Sequence, residues 1–321
     1  MKKRLLTSLE IVLVLVLAFV LKTLVSSYFF DALILFISIF AALETSRLFT
    51  KMGKYNYTYL VGAMPVVLML FTLLGINFDS EIGLSFTLLI DIAVIVLGFG
   101  LAFLFGLVNR KAGYNEMKIR KINNKSTLTK FALGKAFNTT VAFIYPAFLL
   151  SFMTILNHLD MLTSSYANVS NFAGYASLVA LLFMFLIPIF TDTFAYLTGS
   201  LIGGKKLMPK VSPAKTISGA VGGVVWTVVL SICVYLIMNA ITPLQLAFKD
   251  ANFAVWQVAV FSFVGSFVCQ FGDLFESFLK RKADVKDSGK IFPGHGGMLD
   301  RVDSYIFLAP YLLLVFAIIL L

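Results

Sequence analysis

The densest chemistry in this chain lies between Ser277 and Asp303, where SFLKRKADVKDSGKIFPGHGGMLDRVD gathers cations, carboxylates, glycines and one histidine. Asp287, Asp300 and Asp303 are hard oxygen donors suited to Mg²⁺. Lys280, Arg281, Lys286 and Arg301 can neutralise phosphates by charge-assisted hydrogen bonds. Gly294, Gly296 and Gly297 flank His295, and residues without a Cβ let backbone amides approach a phosphate. His295 is read as a phosphate or leaving-oxygen contact, or as a loop-positioning group, and not as a base.

A second cluster starts at Thr191-Asp192-Thr193, passes Gly199, Gly203, Gly204, Lys205 and Lys206, and ends at Ser212-Pro213-Ala214-Lys215-Thr216. Ser212 can cap a helix with Pro213 at its first position. Such a helix start would aim free amides, Lys215 and Thr216 toward an anion. The alternative is a positively charged hairpin followed by a Gly219-xxx-Gly223 packing face.

These clusters must be positioned by elements that lipid allows. Hydrophobic residues make up 60% of the 321 and charged residues 13%, with a mean hydropathy of +0.94. No water-soluble core could bury that much apolar surface. A spanning helix needs roughly 20 apolar residues. That template fits nine times, at about 5–21, 28–46, 57–75, 82–108, 134–156, 172–198, 217–241, 253–279 and 304–321. The expected fold is all-α and polytopic, with 1–130 holding the first helices and a basic linker from Arg110 to Lys130, and 131–321 holding the catalytic region. The basic start before the first span is read as part of a retained helix, not a cleaved leader.

The formal charge of +10 does not indicate a nucleic-acid partner. With the N-terminus in the cytoplasm, all of the 26 Lys and Arg except Lys22 and Lys249 fall on the cytoplasmic side. The positive-inside rule accounts for that. Cys233 and Cys269 sit within apolar segments and read as small buried hydrophobes.

A carboxylate inside a spanning helix costs roughly 2.5–3.5 kcal/mol, so Asp192, Asp273 and Glu276 each require a reason. Ser266, Asp273, Ser277 and Lys280 share one face of the eighth helix, beside a stripe of Gly265, Cys269, Gly272 and Glu276. That face should meet protein or water. Glu10, Asp31, Glu44 and Asp91 are scattered, and Glu44 with Arg47 is read as a local ion pair.

The runs Ser277 to Arg281, Lys286-Asp287-Ser288-Gly289 and Pro293 to Asp303 closely resemble the signature of the phosphatidate cytidylyltransferases (CDP-diacylglycerol synthases). Gly272-Asp273-Leu274, Asp192, Gly199 to Lys206 and Ser212 to Thr216 are similar to the same family. The resemblance covers roughly residues 190–310, with departures at Ser218 and Phe194. It implies CTP and phosphatidate as substrates, Mg²⁺ with a second cation, membrane lipids around the chain, a homodimer, and a cell-membrane protein with its site facing the cytoplasm. On this reading Asp273 and Asp300 hold metal, with Asp192 and Asp303 as further ligands. Asp287, Lys280, Arg281, Lys286, His295 and Arg301 serve the reaction, while Lys205, Ser212, Lys215, Thr216, Gly294, Gly296 and Gly297 bind substrate. A transporter, or an enzyme acting on an isoprenoid ether phosphate, is the rival reading.

Overall fold

Within hydrocarbon a backbone must satisfy its own N–H and C=O groups, which leaves an apolar chain of this composition the helix as its element. The computed structural model describes residues 2–77, 83–109, 116–117, 128–163, 170–292 and 296–320, and it is almost entirely helical. The helices are α1 (Lys2–Leu24), α2 (Tyr28–Lys51), α3 (Thr58–Ile76), α4 (Gly83–Val108), α5 (Leu128–Phe143), α6 (Leu149–Asn157), α7 (Leu159–Thr163), α8 (Ser170–Ile202), α9 (Ile217–Asn239), α10 (Thr242–Asp250), α11 (Val255–Lys282) and α12 (Leu299–Leu320). A π-helical turn at Ile144–Phe148 joins α5 to α6.

Eight spans among the described residues are long and apolar enough to cross a membrane, with α5 and α6 counted together. The protein is an all-α, multi-pass membrane protein. Each expected span coincides with a helix. The first differs in degree, because its apolar stretch among the described residues, Leu13–Leu24, is shorter than a full crossing.

In the second half α8 lies along α9, and α11 packs against both α9 and α12. In the first half α3 packs on α4 and α4 on α5, and the halves meet where α12 crosses α6. Glycines set the closest approaches. A Cβ on Gly219 would stand 2.6 Å from the Ala195 carbonyl oxygen, and one on Gly223 2.9 Å from that of Thr191. At Gly272 a Cβ would stand 2.5 Å from the Asp303 carbonyl oxygen, so the bare Cα lets α12 pass beside Asp273. The stripe of Gly265, Cys269, Gly272 and Glu276 is buried, as its composition anticipated.

Of the two readings of Ser212–Thr216, the hairpin is the one the structure bears out. Ser212–Thr216 is not a helix start but strand β2, paired antiparallel with β1 (Lys206–Met208) in the register Lys206 to Thr216 and Met208 to Ser212. Helix α9 begins at Ile217, where the seventh span was placed, and its cap is Thr216, whose hydroxyl accepts from the Gly219 amide at 3.1 Å. Ser-Pro satisfies the local rule for a helix start, but hairpin pairing with β1 supplies more backbone partners.

Asp31 and Asp91, two of the scattered carboxylates, have partners. Asp31 accepts from Asn157 Nδ2 at 2.8 Å and lies 2.6 Å from His158 Nε2. Nearby, Lys22 donates to the Asn157 carbonyl at 2.8 Å. Asp91 accepts from the Thr72 hydroxyl at 2.8 Å.

Gly272→Ala should cost about 1–3 kcal/mol through the forced separation of α11 and α12, read as a lowered Tm in detergent. Gly174→Ala, where an added Cβ meets nothing within 4 Å, should leave Tm level or raise it, since alanine is the better helix former. Equal Tm values for the two variants would contradict the close approach.

Candidate active site

The glycine contacts bring three helices together at the ends that carry the acidic groups: Asp192 on α8, Asp273 on α11 and Asp303 on α12. Asp192 is within electrostatic range of Asp273, Lys215 and Arg301, and Asp303 is within range of Asp273 and Asp192. Lys215, presented by β2, forms an ion pair with Asp273. Ser277 donates to Asp273 Oδ1 at 3.4 Å one turn further along α11.

Asp300 stands in different surroundings. Lys280 lies between the fully buried Glu276, with which it pairs, and Asp300 Oδ1 at 2.6 Å. Asp300 Oδ2 accepts from the backbone amides of Ser288 at 2.9 Å and Gly297 at 2.7 Å. The Ser288 hydroxyl is 2.9 Å from the same oxygen. Protein donors thus engage both oxygens, and Asp300 ties the loop after α11 to the first turn of α12.

Reading the sequence alone missed the other half of that tie. Glu44, 1% exposed, does not pair with Arg47, which is exposed. Its carboxylate reaches the start of α12, where Oε1 accepts from the Met298 amide at 3.1 Å and Oε2 from the Leu299 amide at 2.9 Å. An anion at a helix N-terminus meets unpaired N–H groups and the positive end of the dipole. Ser288 Oγ is also 2.8 Å from Glu44 Oε2, so its one proton serves Glu44 or Asp300 at a given moment. Gly289 and Gly297 abut the Glu44 carboxylate so closely that a Cβ on either would collide with it.

A cavity of about 490 Å³ opens beside the acidic cluster. Asp192, Asp273, Lys215 and Thr216 line it, together with Lys206 of the second cluster and with Gln270, which the sequence did not single out. Gln270 is held by a hydrogen bond to the Ala220 carbonyl at 3.2 Å. Gly203 and Gly204 form its rim at φ +66° and +103°, values open to glycine.

The remaining candidates sit further out. Lys205, Lys286 and Asp287 are exposed, and Ser212 is half-buried in β2. Arg281 donates to the carbonyls of Val211 at 3.2 Å and Val285 at 3.3 Å, joining the hairpin to the loop. Gly296, at φ +87°, lies against the Asp300 carboxylate. Gly294 and His295 fall outside the described residues. Tyr145, on the π turn, is a buried phenol within electrostatic range of Glu276, Asp303, Asp273 and Asp300, and nothing in the local sequence marked it.

Among the described residues no group of three His, Cys, Asp or Glu side chains forms a ready-made metal cage. Mg²⁺ does not need one, since it is commonly held by one or two carboxylates, with substrate phosphates and water completing its shell. Asp192 and Asp273, which border the cavity, offer carboxylate oxygens of the kind that ion takes.

The arrangement is one of carboxylates, ammonium groups and a glycine-rimmed cavity at the ends of membrane helices, a site suited to phosphate chemistry. The chain belongs to the cytidylyltransferase family, whose model matches residues 2–319. It is 46% identical over 133 residues to the phosphatidate cytidylyltransferase of Staphylococcus saprophyticus, covering 41% of this chain and 46% of that protein. The proteins of the same name from Staphylococcus haemolyticus, at 42% over 132 residues, and Staphylococcus aureus, at 46% over 133, align over the same shares. These alignments span under half the length of the relatives.

Removing the carboxylate in Glu44→Ala leaves the Met298 and Leu299 amides without their acceptor, at a cost of about 1–3 kcal/mol. Hydrogen exchange should show those amides losing protection, and unchanged protection would remove Glu44 as the group that holds them.

Proposed function

We propose that this protein transfers the cytidylyl group of CTP to phosphatidate, giving CDP-diacylglycerol and pyrophosphate. The observation that carries the reading is the acidic cluster of Asp192, Asp273 and Asp303 beside a cavity lined by Lys206 and Lys215, in a chain matching the cytidylyltransferase family along almost its whole length. An oxygen of the lipid phosphate attacks the α-phosphorus of CTP. The bond from that phosphorus to the bridging oxygen breaks, and pyrophosphate leaves with the electron pair. The nucleophile is already an anion, so no strong base is required, and the main barrier is the approach of two polyanions.

Lys206 and Lys215 neutralise the triphosphate in the cavity, while the glycine rim lets it approach the backbone. Asp273, with Asp192 and Asp303, would hold Mg²⁺ and a second cation, which when bound supply charge neutralisation at the reacting phosphates. Asp300, with Lys280 and Glu276, holds the loop after α11 against the start of α12. Arg301, within electrostatic range of Asp192, receives the lipid phosphate. The distribution of basic residues supports placing the site on the cytoplasmic face of the cell membrane, and the family resemblance supports a homodimer.

Purified protein should release pyrophosphate from CTP and phosphatidate in the presence of Mg²⁺, and less from other nucleotides or other phospholipids. Asp273→Asn and Asp303→Asn should each lower kcat by about 10²-fold or more, on the scale of other lost electrostatic catalytic groups, with Tm retained. Near-normal turnover in both variants would remove the metal assignment. Wild-type protein inert toward CTP with every phospholipid would remove the reaction itself.

A further inference from the structure

A second cavity, of about 520 Å³, is separate in character from the first. Its lining is almost wholly apolar, and Arg301 is its cationic member. Phe30, Ile34 and Met153, exposed by 0%, 2% and 6%, form its inner wall. Val14 on α1 and Phe36 on α2 line it as well, yet are 50% and 49% exposed, so the cavity opens sideways on the surface that faces lipid. Ligand pockets commonly hold about 300–1,000 Å³, so this one has room for a lipid tail.

Its depth follows from helix geometry. Its wall on α2 runs from Phe30 to Ile37, seven residues apart, and Met298 lines it beside the start of α12. At 1.5 Å per residue this wall spans about 10 Å, about a third of a hydrocarbon core of ~30 Å. Arg301 and Tyr305 connect it to the acidic cluster, since both line the groove and both are within electrostatic range of Asp192. An occupant must therefore be apolar for most of its length and anionic at the end beside Arg301.

We infer that this groove seats an acyl chain of the phospholipid substrate, its phosphate at Arg301, and that Ile34 and Met153 set the chain length accepted. The inference rests on the reading of phosphatidate as substrate. Bulk at either position shortens the groove, and loss of bulk lengthens it.

The test uses the full-length protein loaded with equal amounts of decanoyl and stearoyl phosphatidate, and compares the bound ratio by native mass spectrometry with kcat/KM for each lipid. Ile34→Trp and Met153→Trp should disfavour the stearoyl lipid by roughly tenfold or more in both readouts, the scale of discrimination by pocket size. Met153→Ala and Ile34→Ala should move both toward the longer chain. If the tryptophan variants fail to fold, the alanine pair decides alone. Unchanged ratios in folded variants overturn the inference, as does wild-type protein that retains phosphatidylcholine as well as phosphatidate. Protein that binds phosphatidate but turns over no CTP removes the proposed reaction, and the bound ratios then still decide for or against the groove.

Discussion

A carboxylate survives inside a bilayer when cations or N–H donors meet it, because no water is available to do so. The candidate site is arranged around that constraint. Lys280 answers Glu276 and Asp300, Lys215 answers Asp273, and amides of the loop and of α12 answer Asp300 and Glu44. Breaking one partner of such a buried set costs more than the set contributes when whole. The result is a rigid acidic frame whose position is tied to helix packing at Gly219, Gly223 and Gly272.

Within that frame, carboxylates of one residue type divide their work by neighbourhood. Asp273 and Asp192 border the open cavity, whereas Asp300 is saturated by protein donors. The two cavities differ in the same way. One is edged by lysines and positive-φ glycines, while the other is apolar with a single guanidinium, and Arg301 and Asp192 stand where their neighbourhoods meet. On the proposed function, a water-soluble nucleotide and a lipid would have separate approaches to one place.

The spans were legible because hydropathy and length decide them, and the acidic helix face was legible because Asp273, Ser277 and Lys280 repeat at helical spacing. At Ser212 the sequence left a helix start and a hairpin both open, because the capping pattern is local while the pairing of Lys206 with Thr216 that decides it is not. Asp300 and Asp273 looked alike because their residue type is the same and only the three-dimensional donors differ. Glu44 was assigned to Arg47 since a neighbour three residues away is visible in sequence, whereas Met298 and Leu299 are 254 and 255 positions distant.

That separation bears on how the chain is made. Ribosomes add about 5–20 residues per second, so a carboxylate at position 44 precedes its amide partners by roughly 13 to 50 s. During that interval α2 is already synthesised while the segment that satisfies Glu44 does not yet exist. A lone charge of this kind is costly in hydrocarbon, which favours holding the end of α2 at the headgroup layer until α12 arrives. The burial of this one glutamate thus waits on the docking of α12.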